Sequence, residues 1–452
     1  MSEVFVNIEA YNRDREEGQL GSLCHASRQN LLFIQSGAML CCHYNRGYIL
    51  GTYPEQSPME AWSSEKRGKL SEALMNYSAP GSCSACTEEI RTGHSHLAGC
   101  KKYDYLAGKD AGQPISLEFQ LSNLCNLECL MCSGEYSSLI REKRESGPPY
   151  PNPWDSAFIR SLEPWIPGLR YASFTGGEPF LNPLYYEFWD RMATKGPHIR
   201  VTVSTNGTVL DDRIRKLQDR LNMEWTLSVD SLDASVYEKI RKNADYERVM
   251  KNIRWLIDAH KKKNRLLSVK FVVMKENIRT IPALFQYFHE KHVQLFPKPA
   301  WVPFEQTLRY AEADELNAMI SLLKKQKLSR RSDVQRFNIM RFNNLISFLE
   351  AWLRENNQRH IGDFNGLSTE QMEQQLERMI LQSIRNDDLT ELLHKQGLID
   401  FTHHLTVRIR QLRMQHPGYR SALCHLLQLP PYTVINEVYR MDDEKFIRRF
   451  FS

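Results

Sequence analysis

Three cysteines, Cys125, Cys129 and Cys132, fall within eight residues in the stretch "QLSNLCNLECLMCSGEYSS" (120–138). No histidine lies between them, and the stretch holds no fourth cysteine. As thiolates they are metal ligands. A tetrahedral zinc ion would require a fourth ligand from elsewhere in the chain. A cube of iron and sulfide held by three thiolates instead keeps one iron open to an outside molecule. The economical expectation is the cube, with a zinc knuckle borrowing a distant ligand as its rival.

Three further stretches have residues suited to binding. "SFTGGEPFLNP" sets Gly176, Gly177, Glu178 and Pro179 in a row, and paired glycines allow a close backbone approach to a ligand. The Glu178 carboxylate is suited to a ligand ammonium. "VSTNGTVL" offers Ser204 and Asn206, and "LSVDSLD" offers Ser228 and Asp230, groups that match a ribose or an amino-acid head. Taken singly, each is ordinary turn chemistry. Placed after successive strands behind a three-cysteine loop, they read as one site.

The elements that would position these groups follow from periodicity. "ISLEFQLS", "YASFTG", "RVTVST", "EWTLSVD", "LLSVKFVVM" and "VQLFPK" read as six strands, separated by helical patterns such as "PLYYEFWDRMATKG" and "YERVMKNIRWLIDAHKKK". Strands alternating with helices imply parallel βαβ units and an α/β sheet or partial barrel, whose strand carboxyl ends carry the chemistry. Residues 113–300 form this part. Residues 1–112 read as a cysteine-rich α+β domain of short strands ("NLLFIQSGAMLCCHY", "RGYILGTY") and one helical stretch ("PMEAWSSEKRGKLSEALMN"). Residues 301–452 read as mainly helical, a region for substrate binding; "FNNLISFLEAWLREN" puts Phe342, Leu345, Ile346, Leu349, Trp352 and Leu353 on one stripe. Breaks are expected at "NGL" (365–367) and "HPGY" (416–419).

Composition excludes several classes. The 452 residues are 42% hydrophobic and 25% charged with a net charge of +5, too slight for their length to demand nucleic acid or an anionic membrane. The last region has 21 Lys and Arg against 19 Asp and Glu, and the basic "LTVRIRQLRMQHPGYR" reads as a solvated face. No stretch approaches the roughly 18 apolar residues needed to span a bilayer. The polar "MSEVFVNIEAYNRDREEG" has no signal-peptide core, so a cytoplasmic protein is expected. In a reducing compartment, clustered thiols are ligands or catalysts rather than disulfides. Nine of the ten cysteines lie in the first 132 residues, with Cys424 alone beyond them.

With these residues in place, the chain resembles the radical S-adenosylmethionine (SAM) superfamily over about residues 113–300. The resemblance rests on Cys125-x3-Cys129-x2-Cys132, "GGEP" (176–179) and the "STNG" and "SVDS" strand ends. It implies a partial (βα)6 barrel, a [4Fe–4S] cluster on the three cysteines, and SAM chelated through its amino and carboxylate groups at the open iron. Reductive cleavage of SAM to a 5′-deoxyadenosyl radical and hydrogen abstraction from a substrate would follow. The same resemblance gives Gly176, Gly177 and Glu178 to the methionyl amine, and Ser204, Asn206, Ser228 and Asp230 to the ribose or substrate. Met131 stands where the family often has an aromatic residue, and is expected near the adenine.

The earlier cysteines resemble the auxiliary-cluster twitch domain, the short relative of the SPASM domain, here ahead of the barrel rather than behind it. That resemblance makes Cys24, Cys42, Cys83 and Cys86 ligands of a second [4Fe–4S] cluster, with Cys41 a neighbour. Cys100, separated from Cys86 by 13 residues, is the alternate ligand, at a spacing that resembles the three-cysteine cluster of the molybdenum-cofactor cyclase. His94 and His96 of "GHSHLAGC" read as loop residues. The implied partners are a reductant such as flavodoxin or ferredoxin and a small-molecule or carrier-bound substrate. A peptide maturase is the alternative, and a non-catalytic cysteine–metal scaffold is the alternative from another class.

Overall fold

The six expected strands form, and short polar side chains start the helices that follow several of them. In the computed structural model they are β4 (Ser116–Gln120), β6 (Tyr171–Phe174), β7 (Arg200–Thr205), β8 (Asn222–Ser228), β10 (Leu267–Val273) and β11 (Gln294–Pro299). Asn182, Asp211, Asp233 and Asp245 each accept a backbone N–H as N-cap of the helices Pro183–Lys195, Asp212–Arg220, Ala234–Ile240 and Tyr246–Lys263. Asn264, at φ +49°, ends the last of these in the left-handed conformation. The structure describes residues 8–91, 95, 98–108, 112–300, 306–308, 311, 313–358, 364–386 and 419–428. His94, His96, most of "LTVRIRQLRMQHPGYR" and residues 416–418 of the expected "HPGY" break lie outside them.

Five further strands precede or interrupt this series: β1 (Asn30–Ile34), β2 (Ala38–Leu40), β3 (Gly51–Thr52), β5 (Glu128–Cys129) and β9 (Arg241–Lys242). One nine-stranded sheet runs β11-β10-β8-β7-β6-β4-β1-β2-β3, and β5 with β9 forms a separate ribbon. β1 pairs in parallel with β4, with Leu32 opposite Glu118, while β2 and β3 turn back antiparallel. Seven strands are therefore parallel, one more than the sequence suggests. The boundary expected at 112/113 falls inside a continuous sheet. "NLLFI" reads from sequence as part of the cysteine-rich region, yet β4 pairs with it along its whole length. The single helical stretch "PMEAWSSEKRGKLSEALMN" forms two helices, Pro58–Trp62 and Glu65–Met75, because Ser64 starts a new N-cap.

Strand register sorts the sheet into two unlike faces. Phe33, Phe119, Phe174, Val203 and Trp225 share one row and pack under the helices; Phe174 lies 5.2 Å from Trp189, and Phe119 lies 5.1 Å from Phe188. Leu32, Glu118, Ser173, Thr202 and Glu224 share the neighbouring row on the opposite face. Parallel sheets are usually apolar on both faces. Here polar groups alternate with apolar ones along β7, β8 and β10, so one face is an open, polar surface.

Two compact units divide the chain. The larger holds described residues 8–79 and 85–357, and the smaller holds 80–84 and those from 358 onward. The larger unit therefore takes in the helices Ala313–Lys324 and all but the last residue of Asp333–Gln358, beyond the boundary expected at 300/301. On the second helix Phe342, Leu345, Ile346, Leu349 and Trp352 are buried as the stripe requires, and Leu353 is half-buried. In the smaller unit, the helices Thr369–Asn386 and Tyr419–Gln428 bury Met372, Leu376, Leu423 and Leu426. Tyr419 donates to Glu373 there at 2.7 Å. Among the described residues, no helix is long and apolar enough to cross a membrane.

Candidate active site

The cysteine loop leaves the carboxyl end of β4 and is tied across its base. Ser138 N donates to Asn123 O (2.7 Å), Asn123 Nδ2 to Gly134 O (2.7 Å) and Ser137 Oγ to Leu127 O (2.7 Å). Its middle pairs with β9, setting Cys129 opposite Arg241, and Leu130 N donates to Ile240 O at 2.8 Å. Arg144 donates from Nη2 to the carbonyls of Cys129 (3.1 Å) and Cys132 (2.8 Å). These bonds leave Cys129 buried and Cys125 and Cys132 half-buried. Burial pushes Cys125 up to about 11 and Cys132 up to about 12; Cys129 adds to both, and Cys125 adds to Cys132. Burial also raises Cys129, against the charge of Arg241, whose Nη1 lies 3.7 Å from its Sγ.

Three thiols that resist ionising side by side need positive charge to hold them as thiolates, and a metal centre supplies it. Among the described residues, no group of three His, Cys, Asp or Glu side chains is placed to hold a single ion. A cube presents its irons at separate corners, so its thiolates stand apart. The donor set of three soft thiols beside a fixed cation fits such a cluster.

The glycine pair works against this loop. Gly177 N donates to Ser122 O (2.9 Å) and Glu178 N to Leu124 O (2.7 Å). A Cβ on Gly176, at φ +116°, would stand 2.6 Å from Ser122 O, and one on Gly177 would collide with Leu124 O. The backbone that comes close is thus that of the cysteine loop, a use the sequence reading did not foresee. Glu178 departs from expectation too. Its side chain turns inward, 1% exposed, accepting Thr205 Oγ1 (2.7 Å), Asn206 N (2.7 Å) and Phe180 N (3.2 Å). Both carboxylate oxygens are engaged in tying the second strand end to the third, rather than turned out toward a ligand ammonium. Burial, opposed by these bonds, lifts its carboxyl to about 7. Pro179 opens the buried turn Pro179–Leu181.

The remaining strand ends divide in the same way. Ser204 and Ser228 stand half-buried on the open face. Asn206 reaches toward the loop, with Nδ2 3.0 Å from Asn126 Oδ1 and 4.0 Å from Cys125 Sγ. Asp230 is fully buried, accepting Val272 N (2.7 Å) and pairing with Arg241 Nη2 (2.7 Å). Its carboxylate is engaged by Arg241 and the backbone of Val272. Met131 is half-buried and packs against Ile240, Met274 and Ala300. Sequence reasoning missed Arg241, Arg144 and Asn126. Asn126 sits between two candidate ligands and had that signal; the arginines are brought in by chain folding alone. A cavity of about 440 Å³ opens at the ends of β1 and β4, with Gln120, Arg46, Glu135 and Tyr150 among its walls. A larger one of about 680 Å³ lies by Leu267 and Val293, at the far end of the strands.

A second group of thiols forms in the N-terminal region. Cys24, Cys41, Cys42, Cys86 and Cys100 are buried. A hydrogen bond with Cys100 and burial hold Cys86 well above the usual thiol range, and Cys24 and Cys42 add to this. Burial pushes Cys42 up to about 11. Tyr11 Oη donates to Leu23 O (2.8 Å) and lies 3.3 Å from Cys100 Sγ. The structure thus sets Cys100 directly beside Cys86, among Cys24 and Cys42, where the sequence made it an alternate. Cys83 lies in the smaller unit. Residues next to this group reach the sheet: His43 Nε2 (2.8 Å) and Lys102 Nζ (2.9 Å) converge on Oε2 of Glu118, on the open face of β4. Burial would raise that carboxyl, but the His43 hydrogen bond and the Lys102 charge hold it at about 2.

Comparison with known proteins agrees with this geometry. Residues 119–288 match the radical SAM superfamily. The chain is similar to a probable GTP 3′,8-cyclase of Methanocaldococcus jannaschii, at 28% identity over 38% of this chain and 54% of that protein. It is also similar to a GTP 3′,8-cyclase of Vibrio atlanticus, at 24% over 44% and 56%. The chain spans just over half the length of these relatives. Among solved structures, SuiB of Streptococcus suis bound to S-adenosylmethionine is 15% identical over 52% of each chain, with a TM-score of 0.36. Residues 119–288 of the chain are thus a radical SAM domain.

Proposed function

We propose that the chain binds SAM at the carboxyl ends of β4, β6, β7 and β8, against a [4Fe–4S] cluster on Cys125, Cys129 and Cys132, and modifies a small-molecule or carrier-bound substrate on the open face. The observation that carries this reading is the docking of the three-cysteine loop onto the Gly176–Glu178 backbone, with Asn206 reaching into the same loop. When bound, cluster and SAM would supply an electron and a 5′-deoxyadenosyl radical for hydrogen abstraction. The chain's own part is placement. Arg241, held by Asp230, sets a fixed cation beside Cys129 and favours its thiolate. Ser173, Thr202, Ser204, Thr226 and Ser228 line the open face with hydroxyls that can orient a polar substrate. His43 and Lys102 lay the N-terminal segment over Glu118, covering part of that face against water.

A second [4Fe–4S] cluster is proposed on Cys24, Cys42, Cys86 and Cys100, with Cys100 in the place first given to Cys83. It would accept an electron from the substrate or relay one from a flavodoxin or ferredoxin, in a reducing cytoplasm. The relatives' name, GTP 3′,8-cyclase, favours a small molecule over a peptide. The test is anaerobic reconstitution. Dithionite-dependent release of 5′-deoxyadenosine from SAM, lost in Cys129→Ala, is expected. Bound zinc with no SAM cleavage would establish the scaffold instead.

A further inference from the structure

Three cations meet at the β11 edge of the sheet without a carboxylate partner among the described residues. The register pairs Lys270 with Phe296 and Val272 with Lys298, so Lys270, Phe296 and Lys298 share the open face on adjacent strands. Asn338 clamps the helix Asp333–Gln358 to the β11 edge. One turn on, Arg341 lays its guanidinium over the rings of Phe296 (5.3 Å) and Phe337 (5.0 Å). Other charges on this face are matched: Glu118 by His43 and Lys102, and Arg200 by Glu224 at 2.8 Å. At the β11 edge they are not, and Arg341 Nε is buried with no hydrogen-bond partner. Burial depresses Lys270, and Lys298 and Lys102 depress it further; Lys298 is depressed by burial and then by Arg341. Lys270 and Lys298 keep solvent-exposed ends while Arg341 is half-buried, and like charges gathered on one strand edge destabilise one another unless an anion lies among them.

We propose that Lys270, Lys298 and Arg341 bind a phosphate-class group of the substrate. The inference rests on the reading that the open face holds the substrate. A lone carboxylate is matched by one bidentate arginine, whereas three cations leave positive charge over unless the anion itself is multiply charged. Lysine serves as a point charge for phosphate, and the arginine fork adds direction. Lys102, shared with Glu118, contributes to the field from across the face.

The test uses the full chain with inorganic pyrophosphate as probe, followed by titration calorimetry. Pyrophosphate should bind the unaltered chain, and the Lys270→Met/Lys298→Met double variant should bind about tenfold more weakly or worse, a loss of about 1.4 kcal/mol. The exposed Lys216→Met should bind as the unaltered chain does. Each single variant should show part of the loss, which keeps the test alive if the double variant does not fold. Equal binding by the single variants and the unaltered chain, or no binding by the unaltered chain, would overturn the proposal. Citrate binding as tightly as pyrophosphate would overturn the phosphate assignment. SAM cleavage by the unaltered chain, measured in parallel, reports separately on the reading beneath it.

Discussion

Glu178 shows how one side chain can hold two strand ends together at a cost that depends on pH. Its carboxyl is raised by burial from 4.5 to about 7, while Thr205, Asn206 and Phe180 hydrogen-bond it. A raised carboxyl favours folding fully below the unfolded value, and the benefit is lost as pH rises through the folded one. Between pH 4.5 and 7 the metal-free chain should lose up to about 3 kcal/mol from this group, at about 1.4 kcal/mol per pH unit. Urea midpoints across that window check it: Glu178→Gln should flatten the fall seen in the unaltered chain, and an unchanged slope would refute the assignment. The sequence showed this glutamate as a candidate for a ligand. That its carboxylate faces inward depends on Thr205 and Asn206, on another strand end, coming within 2.7 Å.

At the scale of elements, the sheet needs an end, and the helix Asp333–Gln358 supplies it. Unpaired edge groups are a liability in any sheet. Asn338, fully buried, accepts Leu295 N (2.9 Å) and donates to Val293 O (2.8 Å), closing two backbone groups on the free edge of β11. Asn338→Ala would strand both, at a cost of about 1–3 kcal/mol for each unsatisfied group. Chemical denaturation should show that loss, and hydrogen exchange should locate it at Leu295; protection at Leu295 equal to that of the unaltered chain would show that the clamp is dispensable. The six barrel strands were legible because apolar and polar residues alternate along them, and Asn or Asp caps follow β6, β7 and β8. The seventh was not, because nothing local to "NLLFI" says which strand it will join.

Over the whole molecule, two thiol groups frame the open face, one on the loop after β4 and one in the segment joined to that face through Glu118. If each holds a [4Fe–4S] cluster, the reconstituted chain should carry about eight irons. Cys100→Ala should reduce this to about four, since Cys100 shares a hydrogen bond with Cys86 and lies against Tyr11. Iron retained in full would return Cys83 to the ligand set and Cys100 to a bystander. The visible absorption of the remaining cluster should persist, which separates loss of one site from collapse of the fold.

The kinds of chemistry were determined by sequence alone. Spacing in "CNLECLMC" limits which centre three thiols can hold, and the alternation in "RVTVST" or "LLSVKFVVM" dictates strands with one polar face, because both effects operate within a few residues. The tertiary structure decided who meets whom. Cys100 beside Cys86, Arg241 against Asp230 and Cys129, and Lys270 with Lys298 and Arg341 are contacts between distant stretches. A residue's type carries no mark of such a neighbour until the strands are registered and the helices close over them.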